Sequence, residues 1–256
     1  MKIDVNSDMG EGFGVYQLCD DAALMNVVSS ANIACGFHAG DPVIMTRMVQ
    51  LAKARGVGIG AHPGLPDRQG FGRRELPYTA DEICQQVVYQ VGALSAIARA
   101  EGTQVAHVSF HAAMGNIINR DEALAQQVMQ AIARIDDSLI IFSQPDTITE
   151  RAAKAAGLKS LTLFLADRAY DSQGHLVPRG VPGSVIKEEQ AVRTRVRQLL
   201  EEGTVTTFDG STLAVRARSI LVHSDTPGSV ELAKVVRSEI EARGGRVAPA
   251  AEVLAQ

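Results

Sequence analysis

The chain has 256 residues, 46% of them hydrophobic and 21% charged, which supports a packed core and excludes a disordered polymer. Its formal net charge of -4 gives no electrostatic reason to bind nucleic acid, so small molecules or proteins are the expected partners. The opening "MKIDVNSDMGEG" lacks the apolar core of a signal peptide and no run of about 18 apolar residues occurs, which points away from membranes and toward the cytoplasm.

In chain order, apolar strand-like runs cover residues 2–8, 29–37, 56–62, 105–111, 138–143, 160–166 and 219–224. These seven runs are nearly continuous in apolar character, as parallel strands buried on both faces require. Helix-like segments lie between them. Asp41-Pro42, Thr79 with Glu82, Thr147 with Glu150, and Thr226-Pro227 mark helix starts. Gly56, Gly102, Gly157 and Gly203 mark helix ends, where a left-handed residue needs no Cβ.

Two segments interrupt this rhythm. Asp209-Gly210, set between short alternating runs in 204–217, predicts a hairpin with a two-residue turn. Residues 167–186 are rich in glycine and proline and too long for a routine connection, a length that favours function. Nothing in the composition divides the chain, so one α/β domain over 1–256 is expected, with a parallel sheet either closed into a barrel or open. Cys19, Cys35 and Cys84 are odd in number and widely spaced, matching neither a disulfide framework nor a C-x-x-C motif.

Polar residues recur where the runs end. Asp8 closes the first, His38 the second, His62 the third, His111 the fourth and His223 the seventh. Parallel strands bring their carboxyl ends to one face, so these side chains can converge there. Asp8, His38 and His62 are suitable ligands for a divalent metal, and the same groups can move protons without one. Glu11 is a further proton carrier, Arg73 beside Arg74 can clamp a carboxylate or phosphate, and Asp167-Arg168 follow the sixth run. The turns 10–14, 38–42, 62–67 and 69–74 offer backbone N–H groups to an anion, although 10–14 lacks the spacing of a nucleotide-binding loop. No G-x-S-x-G elbow is present.

The blocks "VNSDMGEGFG", "ANIACGFHAGDP", "IGAHPGLPDRQGFGRR", "ADRAYD", "LVPRGVPGSVI" and "VHSDTPGSVE" resemble, in this order, the lactam-utilisation (LamB/YcsF) family. The resemblance implies a distorted seven-stranded β/α barrel of the glycoside hydrolase/deacetylase type, with the hairpin as an addition. It also implies ATP-dependent opening of 5-oxoproline or a related lactam, as the A subunit of a 5-oxoprolinase whose subunits B and C supply the phosphorylation. On that reading Asp8, Glu11, His38, His62 and His111 carry the chemistry. Asn6, Gly40, Arg73, Asn116, Asp167 and Arg168 bind the substrate, ATP acts with the partner subunits, and a homo-oligomer is compatible.

One block departs from the family. "HVSFHAAMGN" keeps His107, His111 and Asn116, but Ser109 stands in place of a lysine, Phe110 of a proline, Ala112 of a glycine and Gly115 of a tyrosine. Ser7 stands where cysteine is frequent. Losing the lysine removes a compact cation that serine cannot replace. The alternatives to lactam opening are therefore a stand-alone metal-dependent deacetylase or amidohydrolase, and a non-catalytic paralogue with a binding role.

Overall fold

A computed structural model describes residues 1–255; Gln256, the last residue of the expected 1–256 domain, lies outside the described residues. The strands are β1 (Lys2–Met9), β2 (Ser30–Ala34), β3 (Gly58–His62), β4 (His107–Val108), β5 (Ile140–Ser143), β6 (Lys159–Leu165), β7 (Thr204–Thr206), β8 (Thr212–Ala214), β9 (Ser219–Leu221) and β10 (Arg246–Val247). The helices are α1 (Asp21–Met25), α2 (Pro42–Arg55), α3 (Ala80–Ala100), α4 (Ala112–Ile118), α5 (Glu122–Ile135), α6 (Ile148–Ala155), α7 (Glu189–Glu202), α8 (Ser229–Ala242) and α9 (Ala250–Leu254).

Seven strands close a parallel barrel in the order β1-β2-β3-β4-β5-β6-β9, sealed where β9 pairs with β1, so the expected β/α barrel is borne out. Strand β10, which the sequence pattern did not announce, adds to β1 through Lys2 and Ile3. The expected hairpin is β7–β8, an antiparallel pair outside the barrel. Its turn differs from the two-residue expectation. Thr207 and Ser211 still pair, through Thr207 N–H and Ser211 O, so Phe208, Asp209 and Gly210 form a three-residue loop.

The helix signals mostly hold. Asp41 caps α2 with Pro42 at its first position, and Thr79 and Glu82 form a reciprocal capping box on α3. Thr226-Pro227 does not start α8, whose cap is Gly228. The Thr226 hydroxyl instead donates to Asp167, at 2.6 Å, and is not free to cap. Among the described residues no helix is long and apolar enough to cross a membrane.

The barrel interior is polar. Asp8, Asn32, Gly60 and His107 are register neighbours across β1, β2, β3 and β4. A Cβ on Gly60 would stand 2.0 Å from His107 Nε2, so only glycine lets that imidazole cross β3 and donate to Asn32 Oδ1, 2.8 Å away. His107 is fully buried, stacked on Phe142 with ring centroids 4.2 Å apart, and burial holds its pKa down to about 3. One level lower, Asp4 accepts from Ser29, Ser30, Ser219 and Asn6, an arrangement that satisfies a carboxyl with no exposure at all. Burial nevertheless raises the Asp4 pKa against those four hydrogen bonds.

Candidate active site

At the carboxyl ends of the strands the chain leaves the barrel sooner than the apolar runs imply. His62 is the last residue of β3, but His38 lies four residues beyond β2, and His111 three beyond β4 as the cap of α4. The connecting turns fold inward and carry these side chains over the barrel mouth. At Gly72, which has φ +62, a Cβ would lie 2.7 Å from His38 Cβ and 2.8 Å from His111 Cδ2. The glycine-rich turn therefore presses on imidazoles rather than opening toward a ligand.

Glu11, His38, His62 and His111 meet there. Glu11 Oε1 lies 3.0 Å from His38 Nε2, 3.4 Å from His111 Nδ1 and 3.9 Å from His62 Nε2. His38 and His111 stack with ring centroids 3.7 Å apart, and His62 stands edge-on to both. All four are buried, and one ligand atom from each lies within 4.8 Å of the other three. Asp8 is beside the set. Its Oδ1 accepts from Asn32 at 3.0 Å and lies 3.4 Å from His62 Nε2. Of the expected metal ligands Asp8, His38 and His62, the geometry thus groups the two histidines with Glu11 and His111, and leaves Asp8 against His62.

The hydrogen-bond pattern fixes the protons. His62 Nδ1 faces Ser109 O at 2.6 Å, and His111 Nε2 faces Phe71 O at 2.8 Å. A carbonyl only accepts, so both of these nitrogens carry hydrogen. In neutral rings the remaining nitrogens, His62 Nε2 and His111 Nδ1, are then lone pairs, and they face each other at 3.0 Å. Two lone pairs repel unless a cation joins them.

Protonating the rings is disfavoured. Burial, reinforced by neighbouring positive groups, holds His38 and His111 well below the ordinary imidazole value; burial also lowers His62, against the opposing pull of Asp8. Burial, with the charges of Asp8 and Asp225, raises Glu11 well above the ordinary carboxylate range, which favours its protonated form. Three neutral imidazoles and one carboxyl with inward donor atoms, two of them set by hydrogen bonds to carbonyls, can hold a divalent metal.

A second group lies on the same rim. Asp167, fully buried after β6, accepts from His223 Nδ1 at 2.9 Å as well as from Thr226. Burial alone would raise Asp167, but His223 and Thr226 hold it below its ordinary value. His223 is thereby fixed with Nε2 turned away from Asp167 and available. Ser224 donates to Glu11 Oε2 at 3.1 Å, and Asp225 pairs with Arg73 at 2.5 Å.

The remaining expected contacts divide. Asn6 is sealed inside the barrel, bonded to Ser219, Asp4 and Asn32, and Gly40 donates to Gly12 O at 2.7 Å. Arg168 is buried and reaches Val177 O and Ser184 O, pinning the 167–186 segment. Asn116 is exposed on α4, outside the cluster. In the turns expected to cradle an anion several N–H groups are already engaged: Gly10 donates to Asp21, Gly14 to Asp41, Gly40 to Gly12 O and Gly70 to Asp67. Sequence reasoning missed Asn32, Ser224 and Asp225. An amide inside the otherwise apolar run 29–37 was the available signal for Asn32, whereas Ser224 and Asp225 had none.

The departures from the family pattern have local consequences. Ala112, in place of glycine, holds φ +33, and Gly115, in place of tyrosine, leaves room for Phe110, whose Cβ would be 3.3 Å from a Cβ at 115. Ser109 contributes its carbonyl to His62, a role that any side chain at this position permits.

The LamB/YcsF family model matches residues 3–255. The chain belongs to the LamB/YcsF family. It is 74% identical to the 5-oxoprolinase A subunit of Pectobacterium atrosepticum, over 100% of this chain and 99% of that protein. It is 66% identical to the second 5-oxoprolinase A subunit of Agrobacterium fabrum, over 98% and 99%. The crystal structure of the lactam utilization protein of Thermus thermophilus superposes with a TM-score of 0.91 at 40% identity, over 97% of this chain and 99% of that one.

Proposed function

We propose that this LamB/YcsF protein is the A subunit of an ATP-dependent 5-oxoprolinase in the cytoplasm, the component that opens 5-oxoproline or a related lactam. Partner subunits B and C bind ATP and activate the ring. The observation that carries this reading is the meeting of Glu11, His38, His62 and His111, with Asp8 alongside, at one barrel mouth in a chain of this family.

Opening the activated lactam adds water at the carbonyl carbon, the C–N bond breaks with the ring nitrogen gaining a proton, and the phosphoryl group on the carbonyl oxygen leaves as inorganic phosphate, a second water completing its release. His62 Nε2, a lone pair with Asp8 3.4 Å away, is placed to take the proton of the attacking water, and the Asp8 charge then stabilises the imidazolium. Burial raises the Glu11 pKa well above the ordinary carboxylate range, which favours its protonated form, and that form gives its proton to the departing nitrogen. The neutral inward nitrogens of His62 and His111 accept rather than donate, so they do not polarise the carbonyl by hydrogen bonding. A divalent metal held by Glu11, His38, His62 and His111 would instead supply that polarisation and a more acidic bound water, with Glu11 and His62 then serving as ligands and not as proton carriers.

The test combines the chain with subunits B and C, ATP and 5-oxoproline and measures glutamate release, with the relative from Pectobacterium atrosepticum assayed alongside. Glutamate release that needs all components supports the reading; none, while the relative is active, overturns it. Amide turnover without ATP or partners would instead establish the stand-alone amidohydrolase, which the facing lone pairs also favour.

A further inference from the structure

The cluster is closed to solvent, with His38 1% and Glu11 6% exposed, and charged side chains lie beside it. Arg73 Nη2 lies 2.5 Å from Asp225 Oδ2, and Arg179 Nη2 lies 3.4 Å from Asp225 Oδ1. One carboxylate thus serves two guanidiniums. Their side chains retain 36% and 26% exposure, against 14% for Asp225, so the pair faces outward. Arg73 lies over the Phe71 ring, 4.9 Å from its centroid, and Phe71 packs edge-on against both His38 and His111. On the inner side, Asp225 directly follows Ser224, which donates to Glu11. The Arg73–Asp225–Arg179 bridge therefore lies on the solvent side of the cluster.

Three guanidiniums gather here, faced by the carboxylates of Asp167 and Asp225. Arg168 is buried nearby and meets only the carbonyls of Val177 and Ser184, while Asp167 is committed to His223 and Thr226. Burial and then the Arg179 charge lower the Arg168 pKa against the opposing pull of Asp167, with Arg73 adding to the lowering, as expected where three guanidiniums sit close together. A half-exposed ion pair is worth little in stability and exchanges readily for another anion. Arg179 is nevertheless held in place. The segment that carries it is tied by Arg168, by Ala169 N–H to Ser184 O, and by Ile186 N–H to Asp167 O. The long glycine- and proline-rich connection is thus a built support for one arginine.

We propose that Arg73 and Arg179 form an anion clamp at the mouth of the Glu11–histidine cluster, in which a carboxylate or phosphoryl group displaces Asp225 from the two guanidiniums. Forked donors on two sides match such planar or tetrahedral oxyanions. Displacing Asp225 breaks the bridge and opens the path to Glu11. The identity of the natural anion rests on the lactam-opening reading, since 5-oxoproline carries a carboxylate and its activated form a phosphoryl group; the clamp itself does not.

Calorimetric titration of the full chain with inorganic phosphate, and separately with acetate, tests the clamp in wild type, Arg179→Gln and Asp225→Asn. For at least one anion, Arg179→Gln should bind about 10-fold or more weakly, from loss of a charge-assisted contact. Asp225→Asn should bind about 10-fold more tightly, because the internal competitor has lost its charge. The anion that shows this pattern identifies the group the clamp takes. Equal or weaker binding by Asp225→Asn would mean that the carboxylate only positions the arginines, and overturns the proposal. So does unchanged binding by Arg179→Gln, or no binding of either anion by any of the three proteins. Thermal melts control for folding; should Arg179→Gln unfold, Arg179→Lys keeps the charge without the fork and should bind with intermediate affinity, whereas wild-type affinity overturns the proposal. These titrations need no partner protein, so an intact clamp without glutamate release would refute the lactam reading alone.

Discussion

Replacing Glu11 with glutamine separates the proton on this residue from its shape. Glutamine is nearly isosteric, its carbonyl can accept from Ser224 Oγ, and its NH2 can donate to His38 Nε2, which lies 3.0 Å from Glu11 Oε1. At pH values below the ordinary 4.5 of a glutamate, the two proteins should have stabilities within about 1 kcal/mol of each other. Above it the unfolded wild-type chain releases its proton while the folded one, whose carboxyl is raised by burial and by Asp8 and Asp225, keeps it. The wild type therefore loses stability as pH rises from 4.5 toward the folded pKa, by about 1.4 kcal/mol for each pH unit. Glu11→Gln has no such loss. Its advantage should grow at that slope and level off where folded Glu11 finally ionises. Contributions from the four buried histidines are present in both proteins and cancel in the difference. Urea unfolding in a chelating buffer at half-unit pH intervals reads this directly. A difference that stays flat or falls between about pH 4.5 and 7 would refute the assignment of a protonated Glu11. In the reconstituted reaction the same variant should lose about 10²- to 10⁴-fold in rate, the usual worth of a proton donor.

Two other predictions concern the barrel interior and the metal. Gly60→Ala should cost about 3 kcal/mol, because its Cβ displaces His107 from Asn32, and His107→Ala in the same chain should recover most of that loss; urea unfolding measures both, and a cost below about 1 kcal/mol would contradict the packed layer. After chelator treatment the chain should take up one Zn²⁺ and release protons, since Glu11 must give up its own to become a ligand. His62→Ala should weaken that uptake about 100-fold, and calorimetry in buffers of different ionisation enthalpy counts the protons; failure to bind zinc stoichiometrically would remove the metal from the site.

Local signals in the sequence were enough for the frame. Seven apolar-rich runs became seven barrel strands, because the outer face of each packs under the helices, while Asp4, Asn6, Asp8, Asn32 and His107 in the same runs fill the polar interior. Asp41-Pro42 and the Thr79–Glu82 pair started helices because a cap is satisfied within three residues. Thr226-Pro227 misled for the opposite reason, since its hydroxyl is engaged by a carboxyl 59 residues away.

The histidines and acids were likewise visible at the ends of the runs, and a common face for them follows from parallel strands alone. Which of them touch was decided only in three dimensions. Asp8 and Glu11 are three residues apart, yet Glu11 enters the imidazole set and Asp8 is turned toward Asn32 and His62. The carbonyls of Ser109 and Phe71, which set the ring protons, belong to residues whose side chains say nothing of that role. Asp225 becomes the bridge between Arg73 and Arg179 through pairings across 152 and 46 positions. Strand and helix formation draws on neighbours along the chain, so it is written locally; burial, and with it the proton affinity of each group, depends on everything packed around the atom, which only the closed barrel supplies.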